Sequence, residues 1–400
     1  MTRIAILDDW QGIAEAAIDW SALRAKAELV FFRAPFPGPD SLAATLGGFD
    51  GLLVMRERTQ FPGTLLARLP RLRIISSPGP RNAAIDIPAC TAQGVLVCNT
   101  PATRSSNATA ELALGLLLAC ARRLAQGDSE IRAGRFQERV APGMDLAGRT
   151  LGIIGLGRIG ATMARYGLAL GMKVQAWSQN LTEERAAEVG VARVDKETLL
   201  ATSDAISIHM VLSPRSRGIV SGADIARMKP GGILINTSRA PLVEMPALVA
   251  ALYDGRVMAG LDVFDTEPLP ADDPVRGAPN CVLSPHLGYV TADNMADFYR
   301  FCAENLLAWA NGAPIRVMNP EAVRPLDRPP RRSPYLPPTK YGGPPCAPGP
   351  LSRTRSPSRR SRCRRRSRRA PRSCWRPPIA ASAIPTCISG KAATTWAAAR

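Results

Sequence analysis

A glycine loop between a short apolar run and a stretch of helical period constrains this chain most. Gly155-Leu156-Gly157-Arg158-Ile159-Gly160 follows Leu151-Gly152-Ile153-Ile154. In that order the first Gly permits a tight turn, the second lets backbone approach a pyrophosphate, and the third lets helix and strand pack closely. The N-terminus of the following helix carries unpaired N–H groups and partial positive charge, which favour phosphate. A bare G-x-G-x-x-G can be a structural turn. With a strand before it and a helix after it, a dinucleotide site is the better reading, with Gly155, Gly157, Arg158, Ile159 and Gly160 as contacts.

The surrounding pattern predicts strands over Leu151–Ile154, Lys173–Trp177, Ala205–Ile208, Ile233–Asn236, Met258–Asp262 and Val282–Leu283, with helices between them such as Ile159–Leu170 and Pro246–Tyr253. Strand–helix alternation at this spacing implies βαβ units and a parallel sheet. A weaker version runs through Ile4–Leu7, Leu29–Phe32, Leu52–Met55, Leu72–Ser76 and Val95–Cys98. The expected fold is therefore α/β, with two Rossmann-like domains built on doubly wound parallel sheets. A long helix, Asn107–Leu124, should cross into the central domain, and a last helix, Ala292–Ala310, should return and complete the first. The expected boundaries are 1–103 with 288–327 for a discontinuous catalytic domain, 104–287 for the inserted dinucleotide-binding domain, and 328–400 for a tail.

Open α/β sheets bind ligands beyond the carboxyl ends of their strands. Gly155, Ser178, His209, Arg239, Glu267 and His286 follow successive predicted strands. Only two histidines occur in the chain, and His286 sits in Ser284-Pro285-His286-Leu287-Gly288. A core histidine would not be expected in a loop flanked by Pro and Gly. Imidazole is the usual group that exchanges a proton near neutral pH. The planar fork of Arg239 suits a carboxylate, and Glu267 would hold the histidine. His209 is read as lining the cofactor cleft. Ser178 stands where an Asp would bind the adenine ribose; it can hydrogen-bond the ribose, so NAD is expected, with NADP open.

Net charge misleads until it is divided. Of 51 Lys and Arg, 18 lie in residues 328–400, which hold no Asp or Glu; the remaining 33 balance 33 acidic residues. The body is thus neutral, an ordinary globular composition. The Arg/Pro-rich tail lacks apolar period and is expected to be disordered. Without aromatic interleaving it reads as an unselected segment, such as a frame-shifted end, rather than a nucleic-acid binder. Five cysteines lie in the body (Cys90, Cys98, Cys120, Cys281 and Cys302). None has metal-ligand spacing, so no metal is expected. The N-terminus shows no signal-peptide pattern and the most apolar helix is too short for a bilayer, so the chain is expected to be cytoplasmic.

Taken together, the glycine loop, Met228-Lys229-Pro230-Gly231-Gly232-Ile233-Leu234-Ile235-Asn236-Thr237-Ser238-Arg239, Gly260-Leu261-Asp262-Val263-Phe264-Asp265-Thr266-Glu267-Pro268 and Ser284–Gly288 resemble the D-isomer-specific 2-hydroxyacid dehydrogenases. That family includes phosphoglycerate dehydrogenase, hydroxypyruvate reductase and D-lactate dehydrogenase. The resemblance implies reversible, NAD(P)-dependent reduction of a small 2-keto acid to a D-2-hydroxy acid. It implies catalytic roles for Arg239, Glu267 and His286, with Thr237 and Asp262 near the cofactor, and a homodimer. It also implies that a loop near Gly79 binds the substrate carboxylate through backbone N–H groups. Here that loop reads Ser77-Pro78-Gly79-Pro80-Arg81-Asn82, and neither Pro78 nor Pro80 has an N–H to give. Arg81 is the residue expected to compensate. A second reading of the same fold is a dinucleotide-sensing scaffold, resembling a corepressor, without catalysis.

Overall fold

Among the described residues, twelve short strands, all paired in parallel, sort into two sheets. The structure is a computed structural model; it describes residues 1–101 and 103–322, all within the compact unit Met1–Arg331. The expected disordered tail, 328–400, lies outside the described residues.

The first sheet joins β1 (Thr2–Ile6), β2 (Ala27–Phe31), β3 (Gly51–Leu53), β4 (Ile74–Ser76) and β5 (Leu96–Cys98) in the order β2-β1-β3-β4-β5. Its order reverses at β1, a topological switch point beside β3. β3, β4 and β5 are buried on both faces, which explains their unbroken apolar sequences. One face packs under Leu42, Leu46, Phe61 and Leu65. The other is covered by the helix Ala292–Ala310 through Met295, Phe298, Tyr299, Cys302 and Leu306. That helix has the predicted ends, with Thr291 accepting the Asn294 N–H as N-cap. The described chain then returns to the same sheet. Buried Asn319 accepts the Val97 N–H at 2.8 Å and donates to Val95 O at 2.9 Å and Thr91 Oγ1 at 3.0 Å.

The second sheet contains β6 (Thr150–Ile154), β7 (Lys173–Trp177), β8 (Ala192–Arg193), β9 (Ala205–Ile208), β10 (Gly232–Asn236), β11 (Val257–Leu261) and β12 (Cys281–Leu283). Their order is β12-β11-β10-β9-β6-β7-β8, wound outwards in both directions from β6. Register places Trp177, Ile154, Ile208, Asn236, Leu261 and Leu283 in one row across the sheet. The residues after that row form one edge: Ser178, Gly155, His209, Thr237, Asp262 and Ser284. Helices lie on both faces, Ser105–Ala121 and Arg158–Ala169 on one, Lys196–Thr202 and Met245–Tyr253 on the other.

Two sequence expectations need correction. The helix expected over Asn107–Leu124 runs from Ser105 to Ala121 and a second begins at Leu124, because Arg123 adopts a left-handed conformation (φ 55°). Uninterrupted helical periodicity through Leu124 hid this break. The two-residue strand β8 was not foreseen; both its residues are exposed, so no apolar run marks it.

Asn319→Ala would leave the Val97 N–H and Val95 carbonyl buried without partners. A destabilisation of about 1–3 kcal/mol is expected, read as a lower midpoint in urea unfolding.

Candidate functional site

At the edge of the second sheet, the glycine loop has the geometry expected from its spacing. Gly155 has φ 98°, and a Cβ there would lie 2.6 Å from the His209 carbonyl oxygen. A Cβ on Gly160 would overlap the Gly155 carbonyl oxygen, so the helix Arg158–Ala169 can pack this closely only with Gly at that point. Gly157, the N-cap, is different: nothing lies within 4 Å of a Cβ built there. Its surface opens outward, beside the N–H groups of Arg158, Ile159 and Gly160. Arg158 is exposed and Ile159 half-buried.

Two buried polar atoms at this edge have no protein partner, His209 Nδ1 and Thr237 Oγ1. They sit one residue past β9 and β10, adjacent strands of the row. His209 Nε2 is 2.9 Å from Ser207 Oγ. Burial pushes the His209 pKa down to about 4, so the ring is neutral at physiological pH. Ser178 is half-buried past β7. The open glycine cradle, the free helix N-terminus and the two orphaned atoms fit a bound dinucleotide.

Asp262 is completely buried at the end of β11. Its Oδ1 accepts Ser284 Oγ–H at 2.6 Å and the Leu287 N–H at 2.7 Å, and its Oδ2 accepts the Gly288 N–H at 2.8 Å. Burial raises its pKa, against the pull of those bonds. Asp262 thereby fastens the turn that carries His286. Within that turn His286 has φ 56°, a left-handed backbone uncommon outside glycine.

His286 Nδ1 lies 2.6 Å from Glu267 Oε2, while Glu267 Oε1 accepts the Phe264 N–H at 2.9 Å. Burial alone would raise the Glu267 carboxyl. The hydrogen bond and charge of His286, the Phe264 N–H and the Arg239 guanidinium together hold it below its ordinary range. An ionised Glu267 assigns the shared proton to Nδ1 and leaves Nε2 for other chemistry. The ring packs edge-on against Tyr289, with centroids 5.7 Å apart.

Arg239 ends a turn braced by buried Asn236, whose Nδ2 donates to Arg239 O at 3.0 Å and whose Oδ1 accepts the Ser238 N–H at 3.0 Å. Its Nη2 lies 3.2 Å from Glu57 Oε1, an oxygen also 3.4 Å from Arg56 Nη2. A small cavity of about 50 Å³ gathers Glu267, His286 and Tyr289 with Trp10, Arg56, Glu57 and Arg58. The last four belong to the carboxyl edge of the first sheet, after β1 and β3. Sequence reasoning missed them. The signal was Arg56-Glu57-Arg58 just past an apolar strand, the same placement that singled out the second-sheet residues.

Gly79 and Arg81 are placed differently. The Gly79 N–H donates to Thr100 Oγ1 at 2.8 Å, and the Arg56 guanidinium lies over Gly79 and donates to Pro78 O at 2.9 Å. Arg81 is exposed and borders a shallow depression with Asn82, Asn99 and Met318, not the cavity beside His286. Four of the five cysteines are buried thiols, and burial pushes Cys120 and Cys302 up to about 12. Among the described residues, no group of three or more His, Cys, Asp or Glu could hold a metal, and no helix is long and apolar enough to cross a membrane.

The fold is that of a doubly wound α/β protein whose glycine loop fits a dinucleotide. Residues 114–288 match the family described as D-isomer specific 2-hydroxyacid dehydrogenase, NAD binding domain. A glyoxylate reductase of Korarchaeum cryptofilum is 38% identical over 261 residues, 64% of this chain and 78% of the relative. A D-3-phosphoglycerate dehydrogenase of Archaeoglobus fulgidus is 34% identical over 277 residues, 69% of this chain but 52% of the relative. The chain thus spans about half the length of the curated phosphoglycerate dehydrogenases it matches. Among solved structures, a phosphoglycerate oxidoreductase from Vibrio cholerae superimposes with a TM-score of 0.75 at 35% identity, covering 78% of this chain and all of that one. The apo-structure of D-lactate dehydrogenase from Escherichia coli gives 0.68 at 25% identity, covering 79% and 100%. The chain belongs to the D-isomer specific 2-hydroxyacid dehydrogenase family.

The lowered pKa of Glu267 carries a pH prediction. A carboxylate held below its ordinary 4.5 favours the folded state; this contribution is complete above pH 4.5 and is lost as pH falls through the depressed folded value. Thermal melts of the wild type and Glu267→Gln should therefore differ at neutral pH and converge in acid.

Proposed function

We propose that this protein interconverts a small 2-keto acid and the corresponding D-2-hydroxy acid, with NAD as hydride carrier. The 2.6 Å Glu267–His286 pair, opening on a small cavity that also holds Glu57, the partner of Arg239, carries the reading. Gly155, Gly157, Arg158, Ile159 and Gly160 would hold the pyrophosphate, and Ser178 the adenine ribose. His209, Thr237 and Asp262 would border the nicotinamide end. The bound cofactor supplies hydride to the keto carbon. His286 Nε2 delivers a proton to the carbonyl oxygen, or removes it in the reverse direction. Glu267 fixes the tautomer and plane of His286 and stabilises the imidazolium. Arg239 grips the carboxylate and polarises the carbonyl. To do so it exchanges Glu57 for substrate. Arg56, beside both Glu57 and Gly79, is better placed than Arg81 to share that carboxylate.

On the same reading, residues 1–103 with 288–327, of which 102 and 323–327 lie outside the described residues, make up the catalytic domain and 104–287 the NAD-binding domain. The seat of Ala292–Ala310 on the first sheet supports this division. The five cysteines among the described residues are free, which suits a reducing, cytoplasmic setting. Leu124, Ile131 and Phe136 are more than half exposed on or beside one short helix, which supports a homodimer through that face. Sedimentation should give twice the chain mass, and Ile131→Lys should lower it.

Glyoxylate, hydroxypyruvate, pyruvate and 2-ketoisocaproate, each offered with NADH and NADPH, test the activity. His286→Ala should lower kcat by about 10²–10⁴-fold, while NADH binding, followed by fluorescence, persists. Near-normal turnover by the variant would refute the mechanism.

A further inference from the structure

Beside the catalytic cavity lies a much larger one. A groove of about 540 Å³ runs along the carboxyl edge of the first sheet, a size usual for small-molecule sites. Its floor is apolar: Leu42 and Leu65 are nearly fully buried, and Phe36 is half-buried. The segments that form it follow β1, β2 and β3, around the switch point where sheets of this order bind ligands. It adjoins the catalytic cavity. Trp10 and Arg58 line both, and Pro268, peptide-bonded to Glu267, closes one side.

The charged groups of the groove are already engaged. Arg58 donates to Asp8 O at 2.6 Å, Gln11 Oε1 at 3.1 Å and Tyr289 Oη at 2.9 Å, and its guanidinium stands 4.7 Å from the Trp10 ring centroid. Arg68 pairs with Asp40 at 2.7 Å, and Thr59 donates to Asp8 Oδ1 at 2.7 Å. An occupant thus meets aromatic and aliphatic surface, with polar atoms turned to one another. Asp8, buried and left-handed at φ 61°, fixes the exit of the chain toward Trp10, whose indole is 37% exposed at the junction.

We propose that this groove receives the substrate side chain, and that the substrate is a 2-keto acid bearing a large apolar or aryl group. The inference rests on the reading of His286, Glu267 and Arg239 given above. The 50 Å³ cavity admits the keto-carboxylate head, and the side chain passes over the stacked Trp10–Arg58 pair, the wall common to both cavities, into the 540 Å³ groove. Burial against Leu42, Leu65 and Phe36 favours bulky substrates, and the Trp10 face stacks with an aryl ring. Glyoxylate, a two-carbon acid with hydrogen in place of a side chain, leaves the groove unused.

Steady-state kcat/KM for glyoxylate, pyruvate, 2-ketoisocaproate and phenylpyruvate with NADH decides the matter. The two bulky acids should exceed glyoxylate by about tenfold or more. Thr64→Trp, filling the groove from an exposed position, should reduce kcat/KM for phenylpyruvate at least about tenfold more than for glyoxylate. Trp10→Ala should reduce the same ratio. Circular dichroism melts establish that each variant is folded, and the wild-type ranking stands whichever variant folds. A wild-type preference for glyoxylate, or variants that scale all four acids equally, would overturn the groove assignment while leaving the dehydrogenase reading intact. Failure to turn over any of the four would remove both.

Discussion

Burial of the Asp262 carboxylate without water is costly unless its oxygens are filled. They are, by three donors from a single five-residue turn, Ser284 to Gly288. Those bonds fix three things at once: the end of β11, the turn holding His286, and the start of the segment that returns to the first sheet. Without the carboxylate, two N–H groups and a hydroxyl would lose their acceptor, each at about 1–3 kcal/mol. The His286–Glu267 geometry is thus a consequence of sheet register. Leu261 and Leu283 are cross-strand partners, and the residues after them meet.

The second sheet was legible in the sequence for a physical reason. Its central strands β6, β9, β10 and β11 are buried on both faces, so each reads as an apolar run, and the row of aligned ends places one residue of interest after each. The first sheet was harder. Three of its strands have three residues each, too few for periodicity to act on. Its contribution to the site comes from side chains, Arg56, Glu57 and Arg58, whose charges look like an ordinary solvated loop. Only pairing across the cavity, Glu57 with Arg239 over 182 residues of sequence separation, gives them meaning. The break at Arg123 was equally hidden, because a left-handed arginine leaves no compositional trace.

The expected carboxylate loop shows how little a matching residue fixes by itself. Gly79 sits where the family pattern puts it, yet its N–H is spent on Thr100 and its surface is covered by Arg56. Two prolines remove the neighbouring donors. In their place the structure offers a guanidinium held in position by Pro78 O. On the proposed reading, side-chain recognition would take the place of backbone recognition at the same spot, and either serves a bound carboxylate.

The left-handed backbone at His286 narrows what could ever stand there. Among residues with a side chain, that region is entered readily by Asn, Asp and His, and β-branched or bulky residues resist it. Of those three, imidazole alone carries an exchangeable proton whose affinity matches neutral water. Shape thus narrows the choice to a few residues, and the proton transfer proposed for this position would narrow it to histidine.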